Sequence, residues 1–285
     1  MSVPDITRCG LSEFRWGERT YIMGIVNVSP ESFSGDGLAD TDAAVEQAQR
    51  FVTEGADILD IGGESTRPGS SPISTEEEVR RVVPVIERVA GKVNVPLSID
   101  TYKSEVAVRA LEAGAAIIND QWGLKKDPGL AELAAARDVP IILMSNQRDK
   151  GGYDTHARRD TAFYEDVIAE VISSLWNSIE TALVAGVPRE NIIIDPGLGF
   201  GKTWHQDIEI LRRLAELKEL GQPILIGPSR KSMIKMVLDL PADDRVEGTA
   251  ATVAIGIANG ADIVRVHDVR QMVRVCRMTD SIVRG

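Results

Sequence analysis

Ile192-Ile-Ile-Asp-Pro-Gly-Leu-Gly-Phe-Gly-Lys202 joins three β-branched apolar residues to a carboxylate and then to a run of glycines. The apolar triplet reads as a strand buried on both faces. A carboxylate at its end, followed by glycines, is the chemistry of a strand-end binding loop. Glycine lets the backbone adopt positive φ and approach a ligand closely. The carboxylate needs a partner, because an isolated buried charge is costly.

The same arrangement recurs along the chain. Short apolar runs fall at Ile22–Val26, Ile58–Ile61, Val95–Ile99, Ala115–Ile118, Val139–Met144, Ile192–Ile194, Pro223–Ile226 and Ile263–Val266. Amphipathic stretches lie between them, such as Ala43–Gly55, Thr75–Ala90, Ser104–Gly114, Ala162–Gly186 and Asp207–Leu220. Gly55, Gly114, Gly186 and Gly221 stand where helix C-caps are expected. A β–α alternation repeated about eight times, with strands apolar on both faces, means a parallel sheet. Eight units in 285 residues fit a closed α/β architecture, the (β/α)8 TIM barrel. A doubly wound open sheet is the alternative, and it would gather a ligand with the few loops at one switch point. Polar residues follow most of the strands here, which favours the barrel. One domain is expected over residues 1–285, with residues 1–20 an N-terminal extension capping the barrel.

The composition, 43% hydrophobic and 26% charged, is that of a globular chain with a sizeable core. A net charge of −11 argues against nucleic acid and anionic membranes as partners. It leaves room for a small anionic ligand at a local basic site. Cys9 and Cys276 are too few for a disulfide framework. Met1-Ser-Val-Pro-Asp5 shows no basic or apolar leader pattern, and no stretch reaches a membrane span of about 18 apolar residues. A cytoplasmic location is expected.

The strand ends carry Asn27, Asp60, Asp100, Asn119 with Asp120, Ser145, Asp195, Arg230 with Lys231, and Arg265 with His267. A parallel barrel converges all of these on its C-terminal face. A single strand-terminal Asp is usually a turn residue or helix N-cap, and Asp60-Ile-Gly-Gly63 reads that way. The set as a whole has a chemical shape. Asp100, Asn119 and Asp195 offer acceptors and one amide, and Lys231 offers a cation. They suit a flat heterocycle with alternating donors and acceptors, such as a 2-amino-4-oxo ring. Arg265 and His267 are donors of the kind found at anion sites, and with Asn27 they suggest a phosphate site with Mg²⁺. His267 also fits a plain helix start beside Asp268. His156, His205 and His267 are scattered, without zinc-site spacing. His205 reads as a surface or capping residue. Residues 197–202 fail the phosphate-loop spacing, and the serines of Gly62–Ser65 and Gly227–Ser229 lack a nucleophile elbow.

Seven segments together resemble the dihydropteroate synthase family of pterin-binding enzymes. They are Met23–Pro30, Asp60–Gly69, Ser98–Lys103, Ile118–Asp120, Asp195–Lys202, Ser229–Ser232 and Arg265–Asp268. The resemblance spans about residues 20–270 in the family's order. It implies a (β/α)8 transferase that condenses 6-hydroxymethyl-7,8-dihydropterin diphosphate with 4-aminobenzoate, releasing diphosphate, and a sulfonamide target. It implies that Asp100, Asn119, Asp195 and Lys231 hold the pterin. It places Asn27, Arg265 and His267 at the diphosphate, with Asn27 on Mg²⁺. Phe33, Asp36, Thr66, Arg67, Pro68, Phe200 and Ser232 would surround 4-aminobenzoate. The catalytic set is then Lys231, Asp100, Asp195, Arg265 and Asn27, and a homodimer is expected.

The chain departs from the family pattern in three places. Pro30–Gly37 has Glu31 for the usual Asp and the order Gly35-Asp36. Ser145-Asn-Gln-Arg148 replaces His-Met-Arg, and Pro228 precedes Ser229. These departures keep a second reading open, a pterin-binding relative that makes no product. A folate-dependent methyltransferase on the same barrel is a third. The Gly-, Ser- and Pro-rich connections Ser29–Ala39 and Gly62–Ser74 are expected to be functional loops.

Overall fold

Residue parity along the strands organises this chain. The structure, a computed structural model, describes residues 3–28, 41–65, 71–150 and 165–285. An antiparallel hairpin, β1 (Ile6–Cys9) and β2 (Ser12–Arg15), comes first. The parallel strands follow: β3 (Tyr21–Asn27), β4 (Ile58–Gly62), β5 (Leu97–Asp100), β6 (Ile117–Asp120), β7 (Ile141–Met144), β8 (Ile192–Asp195), β9 (Leu225–Ile226) and β10 (Ile263–Val266). They form one sheet in the order β8-β7-β6-β5-β4-β3-β10-β9. The bridge between Ile194 and Ile224 joins its two ends, with the Ile194 N–H donating to the Pro223 carbonyl at 3.0 Å. The (β/α)8 barrel is therefore closed.

Successive side chains on a strand point to opposite faces. Leu59, Ile61, Ile99, Ile118, Leu143, Ile194 and Val264 belong to the large core beneath the helices. Residues of the other parity, Met23, Ile58, Ile117, Ile142, Ile193, Leu225 and Ile263, form a separate core inside the barrel. Cys9 and Phe14 of the hairpin belong to this inner core, so the N-terminal strands plug the bottom of the barrel. Thr7 Oγ1 ties the hairpin to the Glu190 carbonyl at 2.5 Å. Two residues beyond four of these inner positions stand Asp60, Asn119, Asp195 and Arg265. The same parity thus carries an apolar layer below and a polar layer above.

The helices are α1 (Thr41–Glu54), α2 (Thr75–Ala90), α3 (Ser104–Glu112), α4 (Gly129–Arg137), α5 (Val167–Val184), α6 (Trp204–Arg212), α7 (Ser232–Leu238), α8 (Val246–Ala258) and α9 (Val269–Val283). The C-cap glycines 55, 114, 186 and 221 all have positive φ, as expected. The helix expected over Asp207–Leu220 is instead two pieces. α6 ends at Arg212, and Leu214–Leu220 is a 3-10 helix. Leu214, Leu217 and Leu220 are all buried at a spacing of three, which matches the 3-10 repeat. β5 and β9 are shorter than the apolar runs that announce them. Pro96 and Pro223 at their entrances lack a ladder N–H, although both carbonyls accept ladder bonds. α5 is long and apolar enough by composition to cross a membrane, yet it buries Val167, Val171, Leu175, Ile179 and Ala182 at helical spacing as a barrel helix does.

Candidate active site

The loop after β8 is shaped by its glycines. Gly197, Gly199 and Gly201 have φ of +71°, +78° and +77°. A β-carbon on Gly201 would lie 2.4 Å from the Gln147 backbone, and one on Gly197 would lie 2.3 Å from the Ser145 carbonyl oxygen. The loop therefore packs backbone to backbone against the segment leaving β7. Gly201→Ala is expected to cost about 2 kcal/mol or more, from left-handed backbone strain and the clash together. Thermal unfolding measures this, and an unchanged midpoint would show that the close approach is not required.

This packing fixes Asp195. Its carboxylate accepts the Gly197 N–H at 2.7 Å, and its carbonyl accepts the Ser145 N–H at 2.9 Å. Phe200 is carried to the barrel mouth, where Lys231 Nζ and the Arg148 guanidinium each lie 4.3 Å from its ring centroid. Such distances suit cation–π attraction. Lys231 is the N-cap of α7, and Ser232 is the first residue of that helix, exposed to solvent.

Inside the barrel, Arg265 links two strands. Its Nε donates to Asp60 at 2.6 Å, and an η nitrogen donates to Asp100 at 2.7 Å. Asn119 donates to the same Asp60 oxygen at 3.1 Å. Asp60 is therefore no turn residue. It sits in the middle of β4, fully buried, with its carboxylate at the centre of the network. The local reading failed because the polar partners lie on β6 and β10, far away in sequence. Its parity with Ile58 was the signal that could have found it. Asp60 Oδ1 and Asp100 Oδ1 are buried and meet no donor among the described residues. Unsatisfied buried acceptors are costly.

Three carboxylates, Asp60, Asp100 and Asp195, face two cations, Lys231 and Arg265. Burial pushes Asp100 up to about 7 against the pull of Arg265. It also raises Asp195, opposed by the Gly197 N–H and Lys231. The same burial lowers Lys231 to about 8, with Asp195 opposing. Arg265 stays charged, its two carboxylates outweighing its desolvation.

The mouth continues over β9 and β10. Ser229 Oγ lies 2.9 Å from His267 Nδ1 and accepts the His267 N–H at 3.2 Å. Arg230, in the left-handed region at φ +56°, pairs through two nitrogens with Asp268 at 2.7 and 3.1 Å. Asn27 ends β3, half-buried, opposite Gly62. Asp120 faces away from this chemistry and accepts the Trp122 and Leu124 N–H groups in a local turn. Ser145 is buried and accepts from Gln147. His205 is exposed at the first turn of α6, stacked near Trp204. Phe33, Asp36, Thr66, Arg67 and Pro68 lie outside the described residues. Arg148 was not singled out for the site, because its place beside Phe200 depends on the packing of two loops.

Among the described residues, no cluster of three His, Cys, Asp or Glu could hold a metal ion. Asn27 offers one neutral oxygen. That donor set fits an ion carried mainly by phosphate oxygens, as Mg²⁺ often is.

Fold and site define a barrel enzyme that presents paired carboxylates and cations at its C-terminal mouth to a polar planar ligand. The chain belongs to the pterin-binding enzyme family, which it matches over residues 23–267. It is 50% identical over 279 residues to the dihydropteroate synthase of Clostridium beijerinckii, covering 97% of this chain and 99% of that one. The dihydropteroate synthase of Clostridium difficile, solved with pteroic acid, is 47% identical at a TM-score of 0.86, covering 95% and 99% of the two chains. That of Yersinia pestis, solved with a sulfonamide drug, is 37% identical at 0.89, covering 97% and 98%.

Proposed function

We infer that this protein catalyses the dihydropteroate synthase reaction. 6-Hydroxymethyl-7,8-dihydropterin diphosphate and 4-aminobenzoate give 7,8-dihydropteroate and diphosphate. The observation that carries the reading is the inward layer of Asp60, Asp100, Asn119, Asp195 and Arg265, found in a chain alike along its length to synthases. In the reaction the bond from the pterin methylene carbon to the diphosphate oxygen breaks. The arylamine nitrogen takes its place and loses a proton. The protein's task is to neutralise the leaving charge and align the amine.

Asp100, Asn119, Asp195 and Lys231 bind the ring in this reading. Arg265, His267 and Asn27 take the diphosphate, and Asn27 would help hold a Mg²⁺ there, which would supply charge to neutralise the leaving group. Phe200 and Ser232, with Phe33, Asp36, Thr66, Arg67 and Pro68, surround the aminobenzoate. Lys231 beside Phe200 supports a shared wall between the two substrates. A cytoplasmic homodimer completes the proposal. Supporting the dimer, α8 exposes Ala251, Ile255 and Ala258, an apolar stripe at helical spacing.

Diphosphate release measured with and without 4-aminobenzoate tests the reading. Release that depends on 4-aminobenzoate is expected. Pterin binding without turnover would establish instead the product-free relative. A sulfonamide is expected to compete with 4-aminobenzoate, raising its apparent KM and leaving kcat unchanged. Turnover unaffected by a large excess of sulfonamide would refute that expectation.

A further inference from the structure

Lys202 closes the glycine loop and takes no part in the chemistry above, yet it is 2% exposed. A buried ammonium must be well partnered. Its Nζ donates to the carbonyls of Ser145 at 2.7 Å, Gly197 at 3.0 Å and Phe200 at 3.2 Å. An ammonium has three N–H groups to offer. These carbonyls come from two chain segments, and their dipoles converge on one point where they would otherwise repel. Burial lowers Lys202 to about 7, and Asp207, buried nearby, where it accepts the Gly199 N–H at 2.8 Å, opposes that loss of charge.

The carbonyls belong to residues that matter to the site. The Gly197 N–H donates to the Asp195 carboxylate and the Ser145 N–H to its carbonyl. Phe200 places its ring beside Lys231 and Arg148, and its carbonyl also accepts the Gln147 N–H. Lys202 is thus bonded to two residues that donate backbone N–H groups to Asp195 and to the residue that borders Lys231.

We propose that Lys202 is a positioning residue, whose ammonium gathers the Ser145, Gly197 and Phe200 carbonyls and so holds Asp195 in the geometry that binds the pterin ring. This rests on the pterin reading of the site. It goes beyond that reading by assigning ring affinity to a side chain that does not touch the ring. A lysine that merely fills space would behave differently, because methionine would replace its stem.

The test is calorimetric titration of the intact protein with 6-hydroxymethylpterin, which lacks phosphates. Lys202→Met, which keeps the stem and removes the ammonium, is expected to weaken binding about tenfold or more. Lys202→Gln keeps an amide donor and is expected to fall between wild type and Lys202→Met. Combined with Asp195→Asn, either variant is expected to lose little more than Asp195→Asn alone, since both act through one contact. Wild-type affinity in Lys202→Met, Lys202→Gln no better than Lys202→Met, or losses that multiply in the double variant would each overturn the proposal. If Lys202→Met does not fold, Lys202→Gln and its double variant complete the same cycle. A wild-type protein that binds no pterin would overturn the reading of the site itself, a result seen before any variant is compared.

Discussion

Arg265→Ala is expected to cut turnover by about 10²–10³-fold, the scale set by losing one preorganised charge partner of a transition state. The structure enlarges this expectation. Read from the strand end alone, Arg265 is a diphosphate ligand whose removal spares the ring site. Its guanidinium in fact joins Asp60 and Asp100. Removing it strands a fully buried carboxylate with Asn119 as its remaining donor among the described residues. Breaking a buried pair in this way costs about 3–5 kcal/mol. Arg265→Ala should therefore lower the unfolding midpoint and weaken binding of a phosphate-free pterin, besides slowing turnover. Asn27→Ala, at the other side of the mouth, should slow turnover while leaving phosphate-free pterin binding near normal. Steady-state kinetics, calorimetry and thermal unfolding on the two variants separate these roles. Normal pterin affinity and stability in Arg265→Ala would show that the ion pairs do not hold the ring site together.

Asp195→Asn is expected to abolish most pterin affinity while leaving the fold intact. The substitution keeps size, removes charge and exchanges an acceptor for a donor. The Gly197 N–H at 2.7 Å selects the amide oxygen, so the amide nitrogen must face the opposite way. A buried mismatch of this kind costs about 1–3 kcal/mol, roughly 5- to 150-fold in affinity. It also removes the negative partner that opposes desolvation of Lys231. Lys231 would then lose more of its charge at neutral pH. Calorimetry showing wild-type pterin binding by Asp195→Asn would remove Asp195 from the ring site.

Much of this was legible in the sequence, for identifiable reasons. Ile192–Ile194 is apolar at every position because a barrel strand is buried on both faces, so strand and parallel sheet were readable from composition. The place of Asp195 at the root of a strand-end loop was readable because a run of glycines, and no helix, follows it. Gly197, Gly199 and Gly201 were readable because positive φ excludes most side chains, and all three adopt it. The start of α9 was legible beside Asp268, and Val269, Met272, Val273, Cys276 and Thr279 recur at helical spacing on its buried face. α8 carries no amphipathic signal, because its largely apolar sequence erases periodicity. The helix expected over Asp207–Leu220 misled because a spacing of three serves the start of an α-helix and a 3-10 helix alike.

What the sequence by itself determined is therefore the local chemistry: which segments are strands, which turns need glycine, and which strands end in a charged or amide side chain. Each of these follows from forces acting within a few residues of one another. Tertiary structure decided who partners whom. Asp60 looked like a turn residue until β10 brought Arg265 within 2.6 Å across 205 positions of chain. Lys202 looked like the end of a loop until the segment leaving β7 supplied the Ser145 carbonyl. Charges and dipoles act through space, and closing the barrel is the step that turns eight separate strand ends into one site.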